Sequence, residues 1–314
     1  MSNLRGTLTG VLDGLIGGQE NTVNVRLLET KIINFDLLLN DSLYSKNMKV
    51  ILGEIEAKYN NYSDREMVYF ICVRKKVRFI PKRCNNRFLS IGLYRDEKRL
   101  GKTFKIPYSS ILQLHDFKEA PDEIKITESR IQFRYDTSLI SYYVYDLIDI
   151  LELNIGNSSK IVYVGETDFP LDRPFDKPHS GMMRAIYKYK NLGNDIFIYY
   201  NLFQVTLESI GNYPINYIAS NSLLNYMDKR VEARFIQNLF IWHLLSPEYS
   251  GNYETEIGEL KNTIKSMKEK IRLKMINVSF EVDSECDIYC FCSDLISKTR
   301  ELSFSISGNE GAFA

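Results

Sequence analysis

The longest unbroken apolar stretch in this chain is only seven residues: Met67-Val68-Tyr69-Phe70-Ile71-Cys72-Val73, closed by Arg74. A helix that crosses a bilayer needs about 20 apolar residues, so the run predicts no membrane contact. Its β-branched and aromatic content predicts a buried strand instead. Hydrophobic residues make up 44% of the chain and charged residues 25%, while 40 basic and 40 acidic side chains cancel. These values exclude general disorder and give no partner selected by bulk charge. The length, 314 residues, corresponds to about two domains. The first ten residues lack the basic-then-apolar pattern of a secretory signal, and five cysteines, an odd number, argue against a disulfide framework. The expected setting is the reducing cytoplasm. Neither a Walker-type phosphate loop nor a His-Glu-x-x-His motif occurs, so ATP use and zinc hydrolase chemistry have no support.

Further strands are expected over Arg74–Arg78, Phe88–Tyr94 and Ile124–Phe133, broken at Pro81, Asn85-Asn86, Gly101 and Pro107. Val23–Leu39 holds two elements divided near Thr30 and Lys31, and Met48–Tyr59 fits strand and helix equally well. Residues 1–138 therefore form an N-terminal domain with substantial β content. Ser141–Ile150 and Lys160–Thr167 are expected as the two strands of a hairpin, turning through Asn154–Asn157. A helix over Ser180–Lys190, a strand over Asp195–Val205 and a helix over Val231–Leu245 complete a mixed α+β module at 139–255. In the remaining section, 256–314, Ile257, Leu260, Ile264, Met267 and Ile271 recur at steps of three and four. That is an amphipathic helix, packed on its own protein or forming a homodimer contact. The tail from Ser303 is expected to fray.

The hairpin would bring Tyr145 and Tyr163 together, since cross-strand partners lie ~5 Å apart. Two phenols could position a water or a phosphate oxygen, or could simply be neighbours in a chain with 21 tyrosines. Around them run Tyr143-Val144-Tyr145, then Tyr163-Val164-Gly165 with Thr167 and Arg173. The Lys188-Tyr189 end of a helix and the aromatic strand Asp195-Ile196-Phe197 follow. Glu232 opens a later helix, and Asn252 trails it after Pro247 and Gly251. This order of features resembles the GIY-YIG nuclease family over residues 139–255. The resemblance implies a small antiparallel sheet flanked by helices that hydrolyses phosphodiesters with a divalent ion, Mg²⁺ or Mn²⁺, held by Glu232. It implies Tyr145 for water orientation or as base, with Tyr163 in support. Arg173 would take the phosphate oxygens, Lys177 or His179 the proton relay, and Asn252 would complete the site. On their residue types alone, Glu232 is also an ordinary first-turn acid. Likewise, Arg173 is also a loop partner of Asp172 and Asp176, Lys177 and His179 are also solvated loop residues, and Asn252 is also a turn residue.

Between Arg74 and Lys105 lie twelve basic residues and two acidic ones, interleaved with Phe79, Phe88, Tyr94 and Phe104. Arg74, Lys75, Lys76, Arg78, Lys82, Arg83 and Arg87 are the expected contacts to double-stranded DNA; a solvated strand face is the alternative. The reading is a metal-dependent DNA endonuclease of restriction or defence type. Its alternatives are a catalytically inactive DNA-binding relative and a mobile-element homing nuclease. Cys286, Cys290 and Cys292 have no histidine near them in sequence, and ordinary half-buried thiols are expected there.

Overall fold

The computed structural model describes residues 20–60, 67–85, 87–95, 98–113, 121–135, 138–167, 180–209, 217–221, 226–248, 252–282 and 286–308. The strands are β1 (Asn21–Asn34), β2 (Met67–Phe79), β3 (Phe88–Arg95), β4 (Lys98–Pro107), β5 (Glu123–Ile126), β6 (Arg130–Tyr135) and β7 (Ser138–Tyr143). They continue as β8 (Ser159–Thr167), β9 (Asn194–Ser209), β10 (Tyr217–Ser220), β11 (Leu273–Glu281), β12 (Phe291–Cys292) and β13 (Glu301–Ser307). The helices are α1 (Phe35–Asn40), α2 (Ser42–Asn60), α3 (Tyr108–Gln113), α4 (Val144–Ile150), α5 (Ser180–Lys190), α6 (Lys229–Leu244) and α7 (Tyr253–Ile271).

A mixed sheet in the order β12-β8-β2-β9-β1-β11-β13 organises the molecule, with β10 beside β9 and the β3–β4 ribbon beside β2. Strands β5-β6-β7 form a separate antiparallel sheet. The α+β class is as expected. The boundaries expected at 138 and 255, however, do not separate independent sheets. Strand β2 pairs with β8 and β9, and β1 pairs with both β9 and β11, so one sheet draws on all three sections.

The apolar run Met67–Val73 is the start of β2, and it is apolar throughout because both of its faces are covered. Val68, Phe70 and Cys72 belong to one core layer, while Met67, Tyr69, Ile71 and Val73 belong to the other. Over the first layer pack α4, α6 and α7 through Leu147, Phe235, Phe240, Leu260 and Ile264, with Phe70 and Phe240 ring centroids 5.1 Å apart. Over the second pack α1, α2 and α5 through Leu38, Leu52, Met182 and Ile186. Burying one such side chain contributes roughly 1.5–3 kcal/mol.

Several expectations change. Val23–Leu39 is one strand followed by a short helix, and Asn34 caps that helix by accepting the Leu37 N–H at 3.1 Å. The ambiguous Met48–Tyr59 is helical within α2. Arg74–Arg78 continues β2 rather than starting a new strand. Of the tail from Ser303, the residues up to Ser307 belong to β13, an edge strand whose Leu302 and Ile306 are buried, and 309–314 lie outside the described residues. Leu260, Ile264, Met267 and Ile271 of α7 pack into the protein's own core. No described helix is long and apolar enough to cross a membrane.

Candidate active site

The hairpin expected between Ser141 and Thr167 is not formed: β7 pairs with β6, and β8 pairs with β2. Tyr145 lies in helix α4, which begins where the Tyr143 N–H donates to Asp146 Oδ2 at 3.1 Å. Its hydroxyl donates to Asp195 Oδ2 at 2.8 Å, with the Lys75 carbonyl a second acceptor at 3.2 Å. Arg78 closes the group with a bidentate pair, Nη1 and Nη2 each 2.7 Å from an Asp195 oxygen. Burial and the Asp195 carboxylate push the Tyr145 phenol well above its ordinary range, the wrong direction for a base. Tyr145, Asp195 and Arg78 hold α4 and the ends of β2 and β9 together, which is a structural task.

Tyr163 lies in the opposite layer. The register sets Tyr69 against Gly165 and Ile71 against Tyr163, so the two tyrosines are diagonal neighbours on adjacent antiparallel strands. Their ring centroids are 6.0 Å apart, and Tyr200 of β9 lies 6.2 Å from Tyr69. Gly165 makes this possible, because a Cβ there would sit 2.5 Å from the Tyr69 ring. Gly181, at the start of α5, fits against the other tyrosine, since its Cβ would lie 2.9 Å from the Tyr163 ring. Tyr69 is fully buried and Tyr163 partly exposed. The sequence reading missed Tyr69, although it stands in Met67-Val68-Tyr69 within the most apolar run. Tyr163 belongs with Tyr69, not with Tyr145.

Glu232 sits in the first turn of α6, whose N-cap Asp228 accepts from the Arg230 and Val231 N–H groups at 3.0 and 3.3 Å. It is 8% exposed, and its Oε2 accepts from the Asn221 amide, which also bonds Met227 N–H and carbonyl. The apolar face of helix α6, through Phe235, Ile236, Leu239 and Phe240, packs on the layer opposite Tyr163. A Mg²⁺ or Mn²⁺ ion needs open oxygen ligands. A single buried carboxylate already held by an amide does not fit that need, and no group of three metal-ligating side chains occurs among the described residues. Asn252 is exposed and precedes α7 without a side-chain cap bond, its carbonyl accepting the Glu256 N–H at 3.0 Å. Arg173, Lys177 and His179 lie outside the described residues.

The basic block divides. Arg74 is 2% exposed, donating to Ser159 Oγ at 2.7 Å and to the Tyr199 hydroxyl, with its guanidinium 4.0 Å from the Phe197 ring centroid. Arg74 and Arg78 therefore leave the expected DNA surface. Lys75 and Lys76 are half-buried; Lys82, Arg83 and Arg87 are exposed. Beside them, Lys105 lies 5.7 Å from the ring of the exposed Phe88. Cys286 and Cys290 are buried, Cys292 is half-buried, and all three are free thiols. Comparison with protein-family models, curated proteins and solved structures gave no match.

Proposed function

We propose that the protein is a DNA endonuclease of the GIY-YIG kind, with Met67-Val68-Tyr69 in the role first given to Tyr143-Val144-Tyr145. The observation that carries this reading is the Tyr69 ring seated on Gly165 beside Tyr163, on neighbouring antiparallel strands. Strand β8 then leads straight into residues 168–179, whose sequence contains Arg173, Lys177 and His179. The partly exposed Tyr163 is the group that orients the attacking water, and the buried Tyr69 positions it. Arg173 supplies planar, permanently charged donors for the phosphate oxygens as negative charge builds. The water oxygen bonds to phosphorus as the bond to the leaving oxygen breaks; the water's proton passes through the Tyr163 hydroxyl to solvent, and protonated Lys177 or His179 delivers a proton to the leaving oxygen.

Lys82, Arg83, Arg87 and Lys105, with Phe88, supply a cationic surface for the DNA backbone. No protein ligand is assigned to Mg²⁺ or Mn²⁺; the ion enters as a reaction condition. The buried, amide-bonded state of Glu232 favours a second reading, a DNA-binding relative without catalysis. Incubation with supercoiled plasmid separates them. The first reading expects nicked and linear products that EDTA suppresses, and the second expects salt-sensitive binding with intact plasmid.

A further inference from the structure

Leu89, Ile91 and Leu93 of β3 and Ile106 of β4 are buried in the core. Phe88 is not. It is 38% exposed and is the only exposed phenylalanine among the described residues, so its ring forgoes the free energy that burial would contribute. The turn that carries it is tightly tied. Asn85 Oδ1 accepts from the Arg87 and Phe88 N–H groups at 2.9 Å each, and the Asn85 N–H donates to the Phe88 carbonyl at 2.9 Å. Ser90 Oγ donates to the Arg83 carbonyl, also at 2.9 Å. A partner that lands on this ring meets a backbone already ordered. Around it stand the exposed Lys82, Arg83, Arg87 and Lys105, none with a carboxylate partner among the described residues. Lys105 Nζ lies 5.7 Å from the Phe88 ring centroid, so a phosphate held by that ammonium lies beside the ring. Cations alone serve any nucleic-acid backbone. A flat ring among them gains only from a base whose face is free, and in a duplex those faces are stacked on one another.

We infer that the β3–β4 ribbon, with the turn before it, is a binding surface for single-stranded DNA: one unpaired base stacks on Phe88, and the flanking phosphates meet Lys82, Arg83, Arg87 and Lys105. The inference rests on DNA being the ligand and adds its strandedness. It needs no cleavage, since Tyr69 and Phe79 lie near opposite ends of β2, roughly 30 Å apart at about 3.3 Å per residue. Fluorescence anisotropy in EDTA would titrate the full chain with a labelled oligothymidylate and with a blunt hairpin duplex of the same number of phosphates. The single strand is expected to bind more tightly. Phe88→Ala should weaken it about ten-fold while changing duplex binding by less than about two-fold, which also shows that the variant is folded. Phe88→Trp should restore single-strand binding, and its indole emission should be quenched on stacking, against the constant background of Trp242, the one native tryptophan. Duplex binding as tight as single-strand binding, an equal loss on both ligands or no loss in Phe88→Ala, or an unquenched Phe88→Trp overturns the inference. Plasmid left intact in Mg²⁺ overturns the nuclease reading alone, because the binding measurements involve no cutting.

Discussion

Asp195 is 1% exposed, yet its carboxylate accepts from both Arg78 nitrogens and from the Tyr145 hydroxyl. Removing one member of such a buried pair leaves an uncompensated charge, so Arg78→Met is expected to cost about 3–5 kcal/mol in urea unfolding. The same change should leave the salt dependence of DNA binding unaltered, which separates Arg78 from the exposed cations beside it. Gly165→Ala would press a methyl group into the fully buried Tyr69 ring. A stability loss of about 1–3 kcal/mol, measured the same way, is the expected result. The residue types of the basic block were plain in the sequence, but not which of them turn inward. A period of two becomes informative only once both faces of β2 are known to be covered. Gly165 was legible within Tyr-Val-Gly; the ring that requires it was not.

Helix α5 matches its expected bounds, Ser180–Lys190, because Met182, Ile186 and Tyr189 repeat at helical spacing and face one core layer. Helix α4 was misjudged. Its aromatic and β-branched start favours a strand, whereas Val144, Leu147 and Ile148 at helical spacing, and Asp146 bonded to the Tyr143 N–H, decide for a short helix. Near the C-terminal end of α6, His243 stacks on Phe304 of β13 with ring centroids 3.8 Å apart, and burial lowers its pKa. The folded state thus prefers neutral histidine. Its contribution is complete above the unfolded value of about 6.5 and is lost as pH falls through the lower folded value. Thermal unfolding should occur at lower temperature at pH 5.5 than at pH 7.5, and His243→Phe should reduce that difference. An unchanged difference in the variant would assign the pH dependence to other groups.

At the scale of the molecule, β2 and β8 pair Met67 with Thr167, and everything from β3 to α4 lies between them in the chain. A local reading looks for the partner of β8 in the nearest strand-like segment, and that segment holds Tyr145, not Tyr69. Loop-closure entropy grows only slowly with length, so a long insertion between paired strands costs little more than a short one. Lys82, Arg83 and Arg87 follow β2 at the start of this insertion, and neutralising them to Gln should leave stability within about 0.5 kcal/mol. The slope of log binding constant against log salt should fall by about 0.9 for each phosphate contact removed. The most direct test compares two single-atom deletions in plasmid cleavage, Tyr163→Phe and Tyr145→Phe, each normalised to folded protein. Cleavage is predicted to drop by about 100-fold or more in Tyr163→Phe and to persist in Tyr145→Phe, whose hydroxyl only ties α4 to Asp195. Full cleavage by Tyr163→Phe, or selective loss in Tyr145→Phe, would contradict the account.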